Sequence, residues 1–167
     1  MGTKGREILK EMGVDVEELI SKLNSAFADE WLAYYQYWLG AKVAVGVPRE
    51  AVVGELIQHA TEELRHADML AERIIQLGGT PLLEPKVWYD HTGCGYHPPK
   101  DFNIRTIIDQ NIEGEQCAIG VYRDILNYTQ GKDHATYDIA LQILQDELEH
   151  EEDLEAIKED IETMFKK

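Results

Sequence analysis

The sequence predicts an all-α fold: a four-helix bundle with a long crossover between the second and third long helices. Three observations predict it. Apolar residues recur at spacings of three and four along four long stretches, the period of amphipathic helices. Short turns join the first stretch to the second and the third to the fourth, which makes each pair antiparallel. Between the pairs, residues 78–101 hold four of the five prolines (Pro81, Pro85, Pro98 and Pro99) and several glycines.

The length, 167 residues, suits a single domain spanning 1–167, with a short N-terminal segment at 1–13 and the crossover at 78–101. The formal net charge is −16, which argues against a basic surface for naked DNA. An acidic chain of this kind suits a protein that handles cations. No run of eighteen apolar residues occurs, so no membrane span is expected. The N-terminus lacks the apolar core of a signal peptide, so a cytoplasmic protein is expected. Cys94 and Cys117 are too few for a disulfide framework.

A short leading helix is expected to end at Gly13, its basic residues Lys4, Arg6 and Lys10 diluted by Glu7 and Glu11 into a solvated face. Asp15 and Glu18 form a capping-box pattern for the first long helix, expected to reach about Val45. Its stripe is Ile20, Leu23, Phe27, Glu30, Tyr34, Tyr37 and Ala41, with Glu30 the one acid. Gly46 and Pro48 mark a turn and a new helix start. The second helix runs to about Leu77 and stops at Gly78-Gly79. The crossover then follows, with a short helix or strand around Leu83–Tyr89. Fully extended it reaches roughly 80 Å, whereas a helix of about 30 residues is about 45 Å long. It can therefore return to the far end of the bundle. The third helix starts near Asp101 or Asn103 and ends before Gly131; the fourth runs from about Asp133 to Phe165.

The chemistry lies where acids fall on apolar stripes. In the fourth helix Ala140, Ile143, Leu154, Ile157 and Ile161 share a face, and Glu147 and His150 take places on it. Glu63 and His66 repeat the Glu-x-x-His spacing on the second helix, among Leu56, Ala60, Leu70, Ile74 and Leu77. Residues three apart lie on adjacent turns of one face. In the third helix Ile108, Ile112, Glu115, Ile119, Tyr122 and Leu126 share a face, while Glu113 falls with Asp109, Gln116 and Gly120 on the polar side. Glu115 is therefore the inward acid and Glu113 a solvated one. Burying a carboxylate costs several kcal/mol unless it is paired or bound to a metal. The four inward carboxylates would repel one another strongly in a dry core, and two divalent cations, held with the help of the two imidazoles, would neutralise them. Such ligands suit iron or manganese, in a dinuclear site with metals roughly 3.5–4 Å apart. A single Glu-x-x-His on a charged helix is a weak signal; two copies, each on a core stripe with another inward Glu, form a specific one. The other histidines, His59, His91, His97 and His134, lack the spacing and are expected on the surface or in loops.

On these residues the chain resembles the ferritin-like superfamily over nearly its whole length, and within it the Dps-like branch, sometimes called thioferritins. The resemblance rests on Glu30, on Glu63 with His66, on Glu115 to Ile119, on Glu147 with His150, and on Cys94 and Cys117, which look like that branch's characteristic pair. It implies a ferritin-like bundle with a bacterioferritin-type di-iron ferroxidase site inside a dodecameric cage. Fe(II) is the implied substrate, with hydrogen peroxide preferred over oxygen as oxidant, and ferric oxide is stored as protection against oxidative stress. By similarity Glu63 and Glu147 bridge two iron ions per chain, manganese being the other candidate. Glu30 and Glu115 are terminal ligands, and His66 and His150 serve one metal each. The stretch after His150 is too short for the fifth helix of the larger ferritin cages. Leu64 follows Glu63 where bacterioferritins carry a haem-ligating Met, so no haem is expected. A four-cysteine rubredoxin module is missing, unlike in rubrerythrins. DNA is an unlikely partner given the charge.

Tyr37 lies seven residues from Glu30 on the same face. It either hydrogen-bonds a ligand carboxylate, supplies an electron, or is an aromatic core residue. Glu62 and Asp146 each precede a bridging Glu and are placed to orient imidazoles, although for Glu62 simple surface exposure is the expected reading. Cys117 points roughly 200° away from Glu115 on an ideal helix and is not read as a metal ligand. The resemblance implies a redox-active disulfide between Cys94 and Cys117, tying loop to helix; two free or buried thiols are the alternative. A soluble di-metal peroxidase or manganese catalase without storage, and a metal-free interaction module, are the rival functions.

Overall fold

In the computed structural model, which describes residues 3–165, six α-helices and a 3₁₀ turn appear in the order the periodicity predicts. They are α1 (Thr3–Glu11), α2 (Val16–Val43), α3 (Arg49–Gln76), the 3₁₀ turn Pro85–Val87 leading into α4 (Trp88–His91), α5 (Ile104–Thr129) and α6 (His134–Phe165). The first two and last two residues of the predicted termini lie outside the described residues. The long helices α2, α3, α5 and α6 form the bundle; α2 packs chiefly on α3, and α5 on α6. Among the described residues no helix is long and apolar enough to cross a membrane.

The helix ends follow local chemistry. Asp15 opens α2 by accepting the amide hydrogens of Glu17 and Glu18 at 3.0 and 3.1 Å. The reciprocal half of a capping box does not form. Glu18 instead accepts from the Tyr128 hydroxyl at 3.2 Å and pairs with Lys22 at 3.5 Å. At its other end α2 stops at Val43, two residues short of expectation. There Val45 leaves the helix to pair with the start of α5: its amide donates to Phe102 O at 2.7 Å, and its carbonyl accepts from Ile104 N at 3.0 Å. α3 closes on Gly78, at φ +83°, with amides of Gly78 and Gly79 returning to Ile75 O and Ile74 O.

The crossover does return to the opposite end of the bundle, and α2 holds it down on the way. Asn24 donates to Thr80 O at 3.2 Å and accepts from Leu82 N at 3.0 Å. Trp88 of α4 stacks on Trp31 at 5.2 Å. Asp29, buried at the centre of α2, accepts from the Thr92 hydroxyl and from the amides of Gly93 and Cys94, each amide at 2.9 Å.

The core divides into two apolar clusters. One contains Leu19, Leu23, Phe27, Leu70, Ile74, Tyr122 and Ile143. The other contains Tyr37, Ala41, Leu56, Ile104, Ile108, Leu154 and Ile161. Both touch all four long helices. Along each helix the buried polar residues of the predicted stripe fall between the two clusters.

Candidate metal centre

The predicted ligands come one or two from each long helix, and the bundle brings all six together. Glu30, Glu63, His66, Glu115, Glu147 and His150 are each at most 3% exposed. They form two overlapping groups: Glu30, Glu63, His66 and Glu147, and Glu63, Glu115, Glu147 and His150. In each group one donor atom per residue lies within 4.8 Å of the others, and Glu63 and Glu147 belong to both. Glu113, read as solvated, is exposed.

Both imidazoles turn Nδ1 inward. His66 Nδ1 lies 3.2 Å from Glu63, 3.2 Å from Glu147 and 3.4 Å from Glu30. His150 Nδ1 lies 3.4 Å from Glu63, 3.5 Å from Glu147 and 3.8 Å from Glu115. The outer nitrogens are held by acids from the opposite helix. His66 Nε2 meets Asp146 of α6 at 3.0 Å, and His150 Nε2 meets Glu62 of α3 at 2.7 Å. Asp146 thus has the orienting place predicted for it. Glu62 does not fit the expectation of a solvated acid: it is half-buried and faces a histidine 88 residues away. A carboxylate behind an imidazole fixes its tautomer and leaves the other nitrogen free to donate its lone pair.

Two tyrosines mirror each other across the centre. Tyr37 of α2 donates its hydroxyl to Glu115, and Tyr122 of α5 donates to Glu30. Of the roles open to Tyr37, the carboxylate hydrogen bond is the one formed. Tyr122 shares the inward face of its helix with Glu115, and the sequence alone assigns it no role. Its signal was its position, seven residues after Glu115, matching that of Tyr37 after Glu30.

His59 departs furthest from expectation. It is wholly buried, not on the surface, and its ring stacks on His150 with centroids 4.0 Å apart. The signal was present in the spacing: His59 lies four residues before Glu63 and seven before His66, on the same helical stripe. His91, His97 and His134 are exposed, as expected.

Among these side chains protons balance the charge. Burial raises the Glu30 carboxyl well above its usual range, and the charges of Glu147 and Glu63 raise it further. Burial and Glu147 do the same to Glu115. Burial alone would raise Glu63 as well, but hydrogen bonds from His150 and His66 outweigh it and hold that carboxyl well below the usual range. Burial would lower His66 and His150, but hydrogen bonding to the surrounding carboxylates raises both far above the usual histidine value. His59 is lowered to about 4, by burial and then by His150.

The donor set fits a pair of divalent cations. Glu30 Oε2, Glu115 Oε2, both carboxylate oxygens of Glu147 and His150 Nδ1 are buried without a well-formed hydrogen bond among the described residues. Buried polar atoms rarely stay unpartnered, and mixed carboxylate and imidazole donors suit iron or manganese.

Cys94 and Cys117 form a disulfide, with Cα atoms 5.7 Å apart, tying the crossover to α5. Of the two alternatives for this pair, free thiols are therefore not what the fold holds. Beside it a narrow cavity, with about 40 Å³ open to water-sized molecules, runs past Cys94, Gly95 and His97 to Glu30, Glu63, Glu115 and Glu147.

A ferritin-like domain model matches residues 20–164. The chain belongs to the ferritin-like family. The DNA protection during starvation protein of Pyrococcus furiosus is 39% identical over 153 residues, spanning 90% of this chain and 82% of that protein. A dodecameric thioferritin, the bacterioferritin-related protein of Bacteroides fragilis, matches with a TM-score of 0.96 at 46% identity, over 98% of this chain and 96% of that one. A ferritin-like diiron-carboxylate protein of Bacillus anthracis matches with a TM-score of 0.73 at 25% identity, over 86% and 97% of the two chains. This chain is thus a Dps-like member of the ferritin-like family, with candidate carboxylate metal sites at the centre of its bundle.

Proposed function

We propose that this protein is a Dps-like ferroxidase that oxidises Fe(II) at its central carboxylate site, preferentially with hydrogen peroxide, and stores ferric oxide inside a homo-oligomeric cage. The observation that carries this reading is the sharing of Glu63 and Glu147 between two ligand groups, each completed by one further Glu and one imidazole Nδ1. Two Fe(II) substrates give up one electron each, which with two protons reduce one peroxide to two waters.

The chain's part is to place and polarise. Glu63 and Glu147 span both positions, while Glu30 with His66 and Glu115 with His150 define the two ends. Asp146 and Glu62 keep each imidazole's Nδ1 pointed inward. Tyr37 and Tyr122 hold the terminal carboxylates Glu115 and Glu30, fixing the oxygen each leaves free. Four carboxylates neutralise two divalent cations and are left with surplus positive charge after oxidation, which favours release of the product. The narrow cavity beside the disulfide admits a small oxidant and excludes larger reductants. Cys94 lines this cavity, so its disulfide with Cys117 links the redox state of the crossover to access. A dodecameric cage is supported by the relative from Bacteroides fragilis, described as a dodecameric thioferritin. The acidic surface disfavours DNA as a partner.

The test is iron retained per chain after anaerobic Fe(II) addition, limiting peroxide and gel filtration. Iron far above two per chain, travelling with a large assembly, is expected. Iron saturating near two would replace storage with a soluble di-metal peroxidase, and no retained iron would overturn the ferroxidase reading.

A further inference from the structure

His59 has no part in the chemistry above, yet it is buried more completely than most of the core. Neither of its ring nitrogens makes a hydrogen bond among the described residues. One ring face lies against His150 at 4.0 Å, and the Tyr37 ring meets it edge-on at 5.2 Å. Its Nε2 is aimed at two further acids, Glu55 Oε1 at 3.4 Å and Asp153 Oδ2 at 3.7 Å. Both distances are long for hydrogen bonds. They are the spacing of two donors that share an ion at about 2.1 Å from each, at angles of roughly 110–125°. All three donor atoms lie within 4.8 Å of one another.

We infer that Glu55, His59 and Asp153 hold a third divalent first-row cation, separate from the central pair. Two carboxylates and one imidazole form a hard-to-intermediate donor set suited to Mn(II), Fe(II) or Zn(II). Glu55 and His59 stand one turn apart on α3, and Asp153 reaches them from α6. The side chains of Glu55 and Asp153 are 28% and 40% exposed, so this site opens directly to solvent, whereas the central one is reached only through the narrow cavity beside Cys94. Solvent supplies the remaining coordination positions. The His59 ring, packed flat on His150, sets the third cation on the far side of the imidazole that faces the pair.

The site stands whether or not the central pair oxidises iron, and the experiment separates the two. Chelator-treated full-length assembly is dialysed anaerobically against Mn(II), and crystals of the same preparation are measured at the manganese absorption edge. Wild type should hold three Mn(II) per chain, with an anomalous peak between Glu55, His59 and Asp153. Glu55→Gln and Asp153→Asn, both at partly exposed side chains, should each hold two and lose only that peak. Glu63→Gln should keep it while losing the pair. Mn(II) at the third site but not at the centre would sink the ferroxidase reading and leave this one standing. Two Mn(II) in the wild type with no peak at His59, or a third peak that survives both substitutions, would overturn it.

Discussion

The two halves of the metal centre are built to one plan and set in different surroundings. Each half has an inward Nδ1, an acid behind Nε2 from the opposite helix, and a terminal Glu held by a tyrosine. In the His66 half, the backing acid Asp146 also takes the guanidinium of Arg65, so a cation closes the chain of hydrogen bonds. In the His150 half, the ring is backed by Glu62 and stacked on His59, which faces Glu55 and Asp153. The repeated Glu-x-x-His motif thus sets equal coordination, while its neighbours set unequal electrostatics. One half is already balanced by arginine, and the other gathers acids that call for a further cation.

Replacing a shared acid should break both halves together. Glu63→Gln or Glu147→Gln should abolish tight binding of two metals and slow Fe(II) oxidation by about 10²-fold or more, whereas Glu30→Gln and Glu115→Gln should each spare one position. Anaerobic Fe(II) titration by calorimetry reads the difference. Asp146→Asn and Glu62→Gln should act on one half each and weaken metal affinity there by about 10–100-fold. Arg65→Ala should weaken only the His66 half, by a few-fold, as a partly exposed ion pair does.

The pH dependence should reverse on metal loading. His66, His150, Glu30 and Glu115 are all raised above their ordinary values. Each therefore adds stability to the metal-free protein that is present at low pH and lost as pH rises through its shifted value. Glu63, lowered, acts the opposite way, and its contribution is lost only in strong acid. Between about pH 5 and 9, Tm in the presence of chelator should therefore fall. With Mn(II) it should rise, because the cation competes with protons for the same atoms. Tm curves that run parallel with and without metal would contradict this. Smallest of all, Tyr37→Phe and Tyr122→Phe should each cost about 1 kcal/mol of stability, with equal few-fold losses in rate, seen by thermal melts and stopped-flow oxidation.

How much of this was legible in the sequence depended on whether a residue's role could be seen along one helix. Glu30, Glu63, His66, Glu115, Glu147 and His150 each sat on an apolar stripe, where helical period and the cost of burying charge are enough to mark them. The choice of Glu115 over Glu113 was a question of helical angle alone. Glu62, next to a bridging Glu, has an orienting role open to it in the sequence, but it lies one step off its stripe and its partner His150 is on another helix, so tertiary packing decides between that role and solvation. The same holds for Asp29, whose carboxylate anchors a loop 64 residues away. His59 is different. Its spacing to Glu63 and His66 places it on the same stripe, but it belongs to no Glu-x-x-His pair, and the repeated motif alone does not mark it. The early stop of α2 came from a two-residue pairing of Val45 with the start of α5, which no local propensity encodes.

The central claim is that Glu63 and Glu147 are shared by two cations. Iron-edge anomalous diffraction from crystals loaded anaerobically with Fe(II) tests it most directly. The account predicts two peaks in the bundle core roughly 3.5–4 Å apart, each next to one imidazole Nδ1, with Glu63 and Glu147 between them. A single peak, or two peaks that do not share these carboxylates, would contradict it.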